Sequence, residues 1–122
     1  MASRKLDDLT PKAKAKCEAF LAAANLALAP KKLTLLITCT YRSPKEQNTL
    51  YAQGRTKPGK VVTNAKHSVH TDRKAWDVAF NTAKGEVTWE GPWETLGAIA
   101  RKLGIYWGGD WKSFHDRPHF QI

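Results

Sequence analysis

The sequence predicts an α+β domain with a small, mainly antiparallel sheet flanked by about three helices. Three observations predict it. Helical and strand patterns mix without the strict alternation that a parallel sheet requires. The 122 residues suffice for one modest core, so the expected organisation is a single domain over 1–122 with no separate binding module. Hydrophobic residues make up 42%, an ordinary globular fraction that argues against disorder.

The elements follow in order. Thr10-Pro11 is a helix start, with Thr10 as cap and Pro11 at the first helical position. From Pro11 to about Leu28 the chain is rich in Ala, Lys and Leu, and Cys17, Phe20, Ala24 and Leu28 recur at helical spacing on one face. Pro30 stops this helix. Leu33 to Thr40 is apolar and β-branched and reads as a buried strand. Ser43-Pro44 opens a second helix that ends near Gly54. Residues 55–69 read as a loop, and Ala75 to Phe80 as a strand carrying Asp77. Lys84-Gly85 turns into a short strand around Val87 to Trp89. Pro92 starts a third helix running to about Leu103, with Gly104 at its C-terminal cap. Ile105 to Trp107 and His119 to Gln121 are short strands.

Charge and cysteines bound the function classes. The formal charge of +9 predicts attraction to anionic partners, cell-envelope polymers among them. No nucleic-acid motif accompanies it, so no specific nucleic acid is expected. There is no run of 18 or more apolar residues, hence no transmembrane segment. The apolar stretch AFLAAANLALA sits behind mixed charge and reads as a helix rather than a signal core, so synthesis in the cytoplasm without a signal peptide is expected. Cys17 and Cys39 lack C-x₂-C spacing and lie far in sequence from the residues discussed next, so they read as a buried, reduced pair.

A split set of metal-ligand residues carries the chemistry. His70 and Asp77 lie in SVHTDRKAWD (68–77), and Asp116 and His119 in DRPHF (116–120). Two histidines and one carboxylate form a common open zinc site, three protein ligands and a fourth position for water. His70, Asp77 and His119 are therefore the candidate ligands of one Zn²⁺ per chain. Asp116, three residues before His119 with Pro118 between them, is spaced as a general base beside that water. His67 could replace His70 as a ligand. His115 lies four before His119, but Pro118 disfavours the helix that spacing would need. Trp107 and Trp111 are candidate cleft residues among tryptophans otherwise expected in the core.

The segment SVHTDRKAWD resembles the S-x-H-x-x-G-x-A-x-D signature of zinc D-Ala-D-Ala carboxypeptidases and of related phage endolysins that act as L-alanyl-D-glutamate peptidases. The tail WGGDWKSFHDRPHFQI (107–122) is similar to their second signature, W-G-G-D-W-x-x-F-x-D-x-P-H-F. TYRSPKEQNTLYAQGRT (40–56) is similar to their Y-R-S-x-x-x-Q-x-x-L-Y-A-Q-G-R block. Arg73 stands where the signature has glycine, a position suited to a turn that disfavours a Cβ, so a locally altered loop is expected.

The resemblance implies a D,D-peptidase-like fold, shared with Hedgehog-type signalling proteins, and a zinc peptidase acting on the peptidoglycan stem peptide. It favours His70 over His67 and the L-Ala–D-Glu bond as target. It implies that Arg42, at the end of the first strand, is an electrophile beside the metal, and that Gln47 and Ser68 are substrate-binding. Asp116 would take a proton from the zinc-activated water and pass it to the leaving amine. An endolysin-type setting implies a monomer that reaches the wall after release. The alternatives are a D-alanyl-D-alanine carboxypeptidase and a non-enzymatic zinc-stabilised binding domain, the latter disfavoured by Asp116.

Overall fold

The computed structural model describes residues 2–63, 67–112 and 115–122. The stretch 64–66 of the expected loop and Phe114 of the tail signature lie outside the described residues.

Helix α1 (Pro11–Leu28) begins where Thr10 accepts a hydrogen bond from the Ala13 amide at 3.2 Å. Such a cap contributes about 1 kcal/mol. Its buried face is Ala13, Cys17, Phe20, Ala24 and Leu28, the i, i+3, i+4 stripe expected of an amphipathic helix. Burying side chains the size of Phe20 and Leu28 stabilises by roughly 1.5–3 kcal/mol each, which outweighs the cap. After a short 3₁₀ turn, Lys32 at φ 57 reverses the chain into strand β1 (Leu33–Cys39). Helix α2 (Pro44–Ala52) is opened by a capping box between Ser43 and Glu46. It stops two residues before Gly54, because Gln53 is already extended.

Strand β2 (Ala75–Thr82) runs two residues beyond the expected Phe80, since Asn81 and Thr82 continue the ladder to β1. A turn leads to β3 (Val87–Thr88), followed by α3 (Trp93–Lys102), β4 (Tyr106–Trp107) and β5 (His119–Gln121). Gly104 leaves α3 at φ 73. The sheet order is β1-β2-β5-β4, with β3 on β2, and every pairing is antiparallel.

Strand alternation divides the sheet into two faces. Trp76, Val78 and Phe80 of β2, with Phe120 and Trp107, meet α1 and α3 in one core. Trp107 thus packs inside rather than lining a cleft, and its indole N–H donates to the Arg117 carbonyl at 2.8 Å. Trp89 is exposed on the surface, a departure from the expected core tryptophan. Asp77, His119 and Gln121 point to the opposite face.

Candidate metal centre

The sheet registers three strands on one spot. Asp77 of β2 lies opposite His119 of β5 on one side and opposite Cys39 of β1 on the other. A register shift between Ile37 and Cys39 makes the last match possible: Ile37 still pairs with Val78, yet Cys39 pairs with Asp77. A bulge of this kind re-aims the side chains that follow it.

His70 arrives from the turn before β2. Amides of Thr71 and Arg73 donate to the carbonyls of Ser68 and His70 at 2.9 and 3.2 Å, and Ser68 Oγ accepts from the His70 amide at 3.1 Å. Arg73 takes the left-handed conformation, φ 61, which glycine adopts readily. The expected alteration of the loop is therefore absorbed as strain on Arg73 itself, at a cost of about 1–2 kcal/mol. Its side chain offsets that cost. The guanidinium lies 4.0 Å from the Tyr41 ring centre and donates to the Asp8 carbonyl at 3.1 Å.

Hydrogen bonds outside the centre orient both imidazoles. His70 Nδ1 lies 2.8 Å from the Thr40 carbonyl, which can only accept, so this nitrogen carries a proton. His70 Nε2 is left 3.2 Å from Asp77 Oδ1. His119 Nε2 lies 2.8 Å from Gln121 Oε1, and its Nδ1 lies 3.1 Å from the same Asp77 oxygen. With each proton on the outward nitrogen, two ring lone pairs and a carboxylate oxygen converge. Such a set of acceptors requires a cation between them or protons on the rings, so the donor chemistry fits a divalent metal. Burial disfavours the His70 imidazolium, but hydrogen bonds to Asp77 and Cys39 override it and hold its pKa up at about 10. Burial pushes the Asp77 carboxyl up, and His119 and His70 pull it well below the usual carboxylate range.

Asp116 faces the same cavity of about 590 Å³, whose wall includes Arg42, Ser68, His70, Asp77 and His119. Its pKa is raised, first by burial and then by repulsion from Asp77. A turn places it: the His119 amide donates to the Asp116 carbonyl at 3.1 Å, and the Asp116 amide to the Gly108 carbonyl at 3.1 Å. Arg42 puts Nη2 4.0 Å from Asp77 Oδ2 and donates through Nη1 to Gln47 Oε1 at 2.9 Å. Gln47, expected on the substrate, is buried behind Arg42 and is not among the residues that line this cavity. A second cavity of about 510 Å³ shares Arg42 and Asp77 as wall residues and is lined also by Thr38, Cys39 and Glu46.

The structure separates the other candidates. His67 stands on the wall of the same cavity but is exposed and pairs with Asp72 at 3.0 Å, while His115 is exposed with Nδ1 3.2 Å from the Gly109 carbonyl. Trp111 lines the cavity, its ring 5.2 Å from that of His119.

Three contributors were missed by sequence reasoning: the Thr40 carbonyl, Gln121 and Cys39. Gln121 had a signal, since i and i+2 of a strand share a face. Cys39 had none. It is a free, buried thiol as expected, yet Sγ lies 3.6 Å from His70 Nδ1, and Cys39, His70 and Asp77 offer ligand atoms within 4.8 Å of one another.

Residues 62–122 match the family described as D-alanyl-D-alanine carboxypeptidase. The chain is 39% identical over 127 residues to the peptidoglycan L-alanyl-D-glutamate endopeptidase CwlK of Bacillus subtilis, covering 94% of this chain and 74% of that protein. The crystal structure of the Serratia marcescens L-Ala D-Glu endopeptidase ChiX shares the fold, with a TM-score of 0.71 over 100% of this chain and 88% of that one, at 24% identity.

Proposed function

The chain belongs to the D-alanyl-D-alanine carboxypeptidase family of metallopeptidases, and from that premise we propose that it is a zinc-dependent endopeptidase hydrolysing the L-alanyl-D-glutamate bond of the peptidoglycan stem peptide. The observation that carries this reading is the convergence of His70 Nε2 and His119 Nδ1 on Asp77 Oδ1 in a cavity that also holds Asp116.

His70, Asp77 and His119 would hold one Zn²⁺. When bound, the ion supplies Lewis acidity that brings the pKa of water toward neutrality and polarises a carbonyl. Asp116 accepts the proton of the attacking water and delivers it to the leaving amine. Its raised pKa suits both halves of that transfer, because a carboxyl poised closer to the working pH gives the proton back more readily. Arg42, steadied by Gln47, donates to the carbonyl oxygen as negative charge develops there. Ser68 holds the His70 turn from the cavity wall.

The L-Ala–D-Glu bond is favoured over terminal D-Ala because the relative from Bacillus subtilis, 39% identical and covered over 74% of its length, is an L-alanyl-D-glutamate endopeptidase. A basic protein is also suited to the D-Glu carboxylate and to anionic envelope polymers. No helix among the described residues is long and apolar enough to cross a membrane. The proposed setting is endolysin-like, a monomer made in the cytoplasm that acts on the wall after release.

Metal analysis of purified variants tests the ligand set. His70→Ala, Asp77→Ala and His119→Ala should each lose most of the one zinc per chain, since two remaining ligands hold it poorly. Full zinc in any one of them would remove that residue from the set.

A further inference from the structure

We propose that Gln121 is a positioning residue that fixes the metal-binding tautomer of His119; the inference rests on His119 being a ligand. A neutral imidazole carries one proton. Coordination through Nδ1 requires that proton on Nε2, where an acceptor must receive it. Gln121 Oε1 stands 2.8 Å from Nε2.

Packing alone cannot do this. The His119 ring is flanked by the His70 ring at 5.0 Å and the Trp111 ring at 5.2 Å, which limits its rotation. Those contacts say nothing about which nitrogen keeps the proton. Gln121 does. It is two residues beyond His119 on β5, and its backbone is paired on both sides, with Ala75 of β2 and Tyr106 of β4, which fixes where its side chain starts.

The neutral amide is itself informative. A carboxylate there would fix the tautomer more strongly. It would also add negative charge to a centre where Asp77 and Asp116 already supply two carboxylates.

The test compares Zn²⁺ affinity, by competition with a chromophoric chelator, in wild type, Gln121→Met and Gln121→Glu. Methionine keeps the length and removes the acceptor; glutamate keeps the acceptor. Gln121→Met should bind Zn²⁺ about 10–100-fold more weakly, the range for loss of a ligand's outer partner. Gln121→Glu should match or exceed wild type. Long-range ¹⁵N–¹H spectra of zinc-loaded wild type should show His119 protonated at Nε2, a readout that needs no variant.

Wild-type affinity in Gln121→Met, equal weakness in the Met and Glu variants, or a proton on His119 Nδ1 would overturn the proposal. His119→Ala is the control. Zinc retained there overturns the ligand reading itself, whereas zinc lost there with Gln121→Met unaffected overturns only the role of Gln121.

Discussion

Gly108 and Asp116 are in backbone contact so close that a Cβ on Gly108 would lie 2.2 Å from the Asp116 carbonyl oxygen. The Asp116 amide donates to the Gly108 carbonyl across the same contact. The glycine therefore sets how deep the Asp116 turn sits beside His119. Gly108→Ala should push that turn outward and destabilise the fold by about 1–3 kcal/mol, as overpacking does. It should keep zinc but lower turnover, since a displacement of roughly 1 Å can cost about 10²-fold. Paired measurements of metal content and turnover check this; normal turnover would show that Gly108 does not position Asp116.

Asp116 itself should be dispensable for metal and essential for rate. Asp116→Ala should retain about one zinc and its fold, and lose on the order of 10²–10⁴-fold in turnover, the contribution of a general base. If zinc content fell in step with turnover, Asp116 would be a ligand instead.

Arg42 and Gln47 should behave as a unit. Arg42→Lys keeps the charge but loses the planar fork, so turnover should fall more than substrate binding weakens. Gln47→Leu should produce a smaller loss of the same kind. In a double-mutant cycle, Gln47→Leu should add little once Arg42 is alanine. Fully additive losses would mean that Gln47 acts by another route.

Metal binding should release a proton at neutral pH. His70 in the metal-free site has its pKa held at about 10, so at neutral pH the ring is charged and Nε2 is occupied. A cation must displace that proton, and affinity should rise with pH until His70 deprotonates unaided, near its folded pKa. Calorimetry in buffers of different ionisation enthalpy counts the protons. A heat independent of buffer would contradict the charged state of His70.

Much of this was legible in the sequence because the signals were local. Thr10-Pro11 and Ser43-Pro44 with Glu46 announce two helix starts through backbone amides only a turn away. His70, Asp77, Asp116 and His119, which the fold brings to one cavity, stand out in the sequence because ligand chemistry restricts residue type. What stayed hidden depends on register or on distant partners. Cys39 reaches the centre only through the irregularity after Ile37. Trp107 is drawn into the core because its cross-strand partner is Phe120. The strain at Arg73 is answered by Asp8 and Tyr41, which no motif connects to it.

The central claim, a metal-dependent cut between L-Ala and D-Glu, is tested most directly by mass spectrometry of purified muropeptides after digestion. The samples are the zinc-loaded protein, the same protein in chelator, and the chelated protein with zinc restored. The expected result is peptides with a new D-Glu amino terminus and muramoyl-L-Ala fragments in the first and third samples and none in the second. Release of D-Ala instead, or the same fragments in chelator, would contradict it.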